Sequence, residues 1–78
     1  MPRKPSLREL RMRLKVRPMT QSELARAVGV HPSTVNLLEG GHKGAGPDVV
    51  RKLARALRVD VATLRQAIQE SKRRAELA

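Results

Sequence analysis

Seventy-eight residues suffice for one small core and not for two. The chain has no Phe, Trp or Tyr, so that core must be built from Leu, Val, Ile, Met and Ala, and the usual stacking platform for single-stranded nucleic acid is missing. The absence of cysteine excludes a disulfide framework, a thiolate metal site and a cysteine nucleophile. Seventeen Lys and Arg against seven Asp and Glu give a formal charge of +10 and a pI near 11.7, for which a polyanion is the expected partner.

Residues 1–5 form a basic arm with two prolines and nothing to bury, expected to be disordered, whose Arg3 and Lys4 can settle on phosphates or remain solvated. The arm is positive like the start of a signal peptide, but no apolar run follows it. Nor does any stretch approach the about 18 apolar residues of a membrane span, so a cytoplasmic location and no membrane partner are expected. Ser6 and Glu9, three apart, are spaced as a capping box. The first helix should run to about Val16, burying Leu7, Leu10 and Leu14, and stop before Pro18.

The next stretch, QSELARAVGVHPSTVNLLEG over residues 21–40, organises the chain. Thr20 and Glu23 make a second capping box, and Met19 and Leu24 can pack across it as a hydrophobic staple. Leu24, Ala25 and Val28 share a face of the second helix. Gly29 can leave that helix in the left-handed conformation, with Val30 as a buried plug behind it. In His31-Pro32 the proline presets a helical φ, so His31 is the expected N-cap and Pro32 the first helical residue. Val35 and Leu38 then point inward, leaving Ser33, Thr34, Asn36 and Leu37 on other faces. Two short helices about one glycine-containing turn make a helix-turn-helix.

Residues 40–46 carry four glycines and read as a flexible connection. They lack the spacing of a phosphate-cradling loop and no strand precedes them. Gly46, Pro47 and Asp48 open a fourth helix that buries Val50, Leu53, Ala54 and Leu57. Asp60 caps a fifth with the thin stripe Val61, Leu64, Ile68 and Ser71. On this reading residues 6–70 are the folded domain, and residues 71–78 a basic tail in which the helix frays.

These residues resemble the phage repressor and Cro family, the Xre-like regulators. The family's pattern of Gln, Ala, Gly and aliphatic positions is met by Gln21, Ala25, Gly29, Val30, Val35 and Leu38. Its continuation is met by Glu39-Gly40-Gly41, Pro47 and the run from Leu53 to Val59, so the likeness spans residues 7–68. The resemblance implies a compact all-α, five-helix, repressor-like domain that binds duplex DNA, with residues 31–39 as the recognition helix. It implies that Gln21 meets a phosphate and that Pro32, Ser33, Asn36 and Leu37 face the bases. Pro32 and Leu37 depart from the family by offering no side-chain hydrogen bond. Thr34, His42 and Lys43 are further candidates for bases or phosphates, and His31 for either a cap or a contact.

In the family an arginine of the first helix pairs with the glutamate that ends the recognition helix. Glu39 is that glutamate. Arg11 is its partner by helical register and Arg13 by counting back from Gln21, because the stretch from Leu10 to Thr20 is longer than the family's pattern. No metal-ligand spacing surrounds His31 or His42 and no nucleophile motif is present, so neither catalysis, cofactor, metal nor small-molecule ligand is expected. The expected function is a sequence-specific transcriptional regulator, more often a repressor, acting as a homodimer on operator DNA. An antitoxin with a partner toxin, a protein-docking module that keeps the fold and an RNA-binding protein are the alternatives.

Overall fold

The computed structural model describes residues 4–14 and 18–77, whose regular structure is entirely helical. The helices are α1 (Leu7–Met12), α2 (Gln21–Val28), α3 (Pro32–Glu39), α4 (Pro47–Leu57) and α5 (Val61–Leu77). Their inward faces meet in one aliphatic core, with Leu7, Leu24, Val35, Leu38, Leu53 and Leu64 at its centre. α2 packs on α3 and α4, while α5 lies across α1, α3 and α4. No helix among the described residues is long and apolar enough to cross a membrane.

Local signals start the helices where the sequence places them. Both capping boxes are formed, Thr20 Oγ1 accepting from the Glu23 amide at 3.0 Å and Ser6 Oγ from the Glu9 amide at 3.3 Å. Asp60 accepts from the Thr63 amide at 3.0 Å. Gly29 ends α2 at φ +82°, and the amides of Gly29 and Val30 both donate to the Ala25 carbonyl. Val30 behind it is half-buried rather than fully buried, packed against the core's edge. Arg58 ends α4 with φ +57°, a left-handed residue that is not glycine.

The first helix is shorter than its apolar stripe suggests: α1 ends at Met12, with Arg13 as its cap, instead of continuing to Val16, which lies outside the described residues. The Arg11 carbonyl that a further turn would use accepts instead from the Met19 amide at 3.3 Å. Leu14 therefore reaches the core from the connection and not from the helix.

The largest departure is at the other end. α5 is helical to Leu77, and its expected frayed end is packed, with Glu70 and Ser71 buried. Ser71 Oγ accepts from the Leu7 amide at 3.1 Å and donates to the Ala67 carbonyl at 3.1 Å, so α5 satisfies one of the amide donors left open at the start of α1. Arg74 joins Glu70 (2.8 Å), Glu9 and the Lys4 carbonyl (3.2 Å), which ties the chain ahead of α1 to α5. Lys4 is thus fastened by its backbone although the arm reads as free; Arg3 lies outside the described residues. Ala67, absent from the expected stripe, is fully buried, whereas Val61 at the helix start is exposed.

Loop 40–46 is likewise anchored. The His42 amide donates to the Leu37 carbonyl (2.9 Å) and the Gly41 amide to the Leu38 carbonyl (3.2 Å), the paired bonds of a Schellman close. Gly41 sits at φ +76°, and a Cβ there would stand 2.7 Å from the Ser71 carbonyl oxygen and 2.8 Å from Ala75 Cβ. The loop backbone rests directly on α5.

Two outcomes follow for stability. Gly29→Ala should cost about 1–2 kcal/mol, the left-handed penalty alone, because nothing stands near its added carbon. Gly41→Ala should cost more, because the same penalty is joined by overlap with the α5 backbone; urea unfolding of the two variants tests the order. The guanidinium groups of Arg73 and Arg74 hold the Glu70 carboxyl down to about 2 from an ordinary 4.5, and the hydrogen bond from Arg74 lowers Glu9 as well. A carboxyl depressed by folding stabilises above its ordinary pKa and loses that contribution as it protonates. Stability should therefore fall as pH drops from 4.5 toward about 2, and Glu70→Gln should flatten that limb of a pH series of urea midpoints.

Candidate nucleic-acid interface

α3 presents its two sides very differently. Val35 and Leu38 are sealed into the core, while Ser33, Asn36 and Leu37 are exposed, Leu37 by 42%. Pro32 and Thr34 are half-buried at its flanks. The helix is started by His31, whose Nδ1 accepts from the Ser33 amide at 3.1 Å with Ser33 Oγ 2.8 Å away, so His31 and Ser33 form one local unit. Ala25 is buried where α2 meets α3, and its single methyl suits the close approach of the two backbones.

The helix's far end is held by Glu39. Arg11 Nε donates to Glu39 Oε2 at 2.6 Å and Arg11 Nη2 to Oε1 at 3.0 Å, a two-pronged pair whose side chains are only 9% and 5% exposed. Arg11 is the partner, and Arg13 instead reaches back to Glu9 at 3.2 Å on the surface. The remaining arm of Arg11 donates to the Met19 carbonyl at 2.8 Å. One guanidinium thus binds the end of α3 to the connection that leads into α2.

Gln21 stands beside this pair. Its Nε2 donates to Glu39 Oε1 at 3.0 Å and its Oε1 accepts from Asn36 Nδ2 at 3.4 Å. The side chain that the resemblance sends to a phosphate is therefore turned inward, and it joins the buried ion pair to the exposed side of α3. The His42 ring folds over Gly40, within 2.8 Å of where a Cβ would stand, and Lys43 is exposed next to it.

A family model described as helix-turn-helix matches residues 7–64, well over half of the chain. The chain belongs to the phage repressor and Cro (Xre-like) helix-turn-helix family. No curated protein and no solved structure matches it significantly. As a member of this family the protein is a DNA-binding transcription regulator, and the matched span contains α1 through α4 and the start of α5. A helix-turn-helix regulator needs a second helix with one polar, exposed side on a rigid base, and α3 has that form.

One residue beside the interface escaped the sequence reading. Lys72, assigned there to a tail, extends from α5 so that its ammonium lies beside Gly44. Only the helical extension of α5 brings it there; a spacing of 28 residues from Gly44 carries no local signal. Lys4 lines a shallow groove on α5 together with Arg65, Gln66, Lys72 and Arg73.

Arg11→Met leaves the Glu39 carboxylate buried without its guanidinium and should cost about 3–5 kcal/mol. Arg11→Met with Glu39→Leu should recover most of that loss, because no unpaired charge remains; chemical denaturation of the single and double variants measures the coupling.

Proposed function

We propose that the protein is a sequence-specific operator-binding regulator, a repressor in its simplest mode, which places residues 31–39 in the major groove of duplex DNA. The observation that carries this reading is the exposed row Ser33, Asn36 and Leu37 on a helix whose opposite side is locked into the core. The major groove admits one α-helix and distinguishes all four base pairs. Asn36 suits adenine, and Leu37 offers an apolar surface for a thymine methyl. His31, with its Nδ1 engaged at the cap, is a positioning residue for Ser33; Pro32 and Thr34 border the row.

Phosphates provide most of the affinity. Lys43 and His42 are exposed in the loop after α3 and the Lys72 ammonium lies beside Gly44 of that loop, while a net charge of +10 supplies the general attraction. Sparse base contacts leave shape and half-site spacing to contribute specificity. A homodimer would set two α3 helices about 34 Å apart on successive turns.

Duplex binding should weaken steeply with salt, by about 0.9 in log–log slope for each phosphate neutralised. Lys43→Ala and Lys72→Ala should each reduce that slope by about that amount and weaken all sequences alike. Ser33→Ala and Asn36→Ala should relax discrimination by about 1–3 kcal/mol at single base pairs, with non-specific binding nearly unchanged. Fluorescence anisotropy across salt concentrations and operator variants measures both. Salt-independent binding to a protein, with no preference among duplexes, would mark α3 as a docking helix instead.

A further inference from the structure

Arg11, Glu39, Gln21 and Asn36 form a continuous run of polar side chains from beneath α3 to its exposed side. The run has a direction. A carboxylate paired with arginine can only accept, so the Gln21 carboxamide must turn its NH2 toward Glu39. That leaves Gln21 Oε1 facing away, where it too can only accept, and Asn36 meets it with Nδ2. One N–H of Asn36 is thereby spent, and its Oδ1 and second N–H remain in a fixed order at the exposed surface. A group that cannot donate sets the orientation of each amide after it.

We propose that Glu39 and Gln21 are positioning residues for base recognition, and that together they set which way the Asn36 carboxamide faces the groove and so select adenine. This rests on the reading of α3 as the helix in the major groove. Adenine offers N7 as an acceptor and N6–H as a donor, which matches a carboxamide held with its N–H toward one and its Oδ1 toward the other. Guanine carries O6 in place of N6–H, so the fixed Oδ1 meets a second acceptor. A carboxamide free to turn can instead present its NH2 to guanine N7 and O6. Gln21 thus contributes to specificity without touching a base, in place of the phosphate contact that its position implies.

Selection of bound duplexes from a random pool, with the full chain and with Asn36→Ala, Gln21→Met and Glu39→Gln, tests the relay. Gln21→Met keeps the Arg11–Glu39 pair, so it remains informative even where Glu39→Gln fails to fold. Asn36→Ala should lose an adenine preference of about fivefold or more at one base pair, which identifies the pair that it reads. Gln21→Met should lose the same preference at the same pair and nowhere else, and Gln21→Met with Asn36→Ala should behave as Asn36→Ala alone. General destabilisation does not produce a change confined to one base pair. A Gln21→Met variant that keeps the adenine preference overturns the relay and leaves α3 in the groove. One that weakens every sequence alike makes Gln21 a phosphate contact and overturns it equally. If Asn36→Ala relaxes no base pair, or the unaltered chain selects no duplex, the groove reading of Asn36 fails and the relay with it.

Discussion

The position of α3 depends on the carboxylate of Glu39. It lies almost entirely inside the protein at the end of the helix, and a buried charge is tolerated only where it is paired and hydrogen-bonded. Arg11 from α1 satisfies it with two parallel bonds and Gln21 from α2 with a third. Three helices are thus joined at one oxygen pair, and the returning connection is held by the same guanidinium through Met19. Such a pair adds little net stability over a well-packed apolar substitute, but it allows few alternative arrangements. What the pair fixes is the geometry of α3 against α1 and α2 more than the energy of the fold.

α5 supplies the second constraint. Ser71 completes the start of α1, Arg74 ties the preceding segment through Glu9 and Lys4, and the α5 backbone leaves room only for glycine at position 41. The loop after α3 therefore lies against a helix, and the cations on both are brought together. The acidic residues are largely consumed by this architecture. Glu9, Glu39, Asp48 and Glu70 pair with arginines, while Glu23 and Asp60 serve helix starts. Six of the seven acids are thus engaged within the protein, which leaves the excess of Lys and Arg as an outward positive field. The charge that attracts a polyanion and the bonds that hold the fold come from the same distribution of residues.

The sequence by itself determined whatever is encoded between near neighbours. The capping boxes, the left-handed exit at Gly29, the His31-Pro32 start and the inward registers of α2, α3 and α4 all depend on residues a turn or less apart. The family's pattern added the order of the helices and the place of the helix-turn-helix among them. Tertiary structure decided what depends on residues far apart in sequence. Arg11 and Arg13 are both basic and lie on the same short segment, so only the closed fold selects between them, over 28 positions of separation from Glu39. Glu70 stands outside the apolar stripe and Ser71 at its thin end, and both are buried because the Leu7 amide and two arginines meet them there. Gln21 carries the family's expected residue, yet its amide faces whichever partner the folded chain places beside it, and that partner is Glu39. Caps and periodicity are local because steric and hydrogen-bonding requirements act within a turn. The partner of a buried charge is not local, since it is fixed only when the helices have packed.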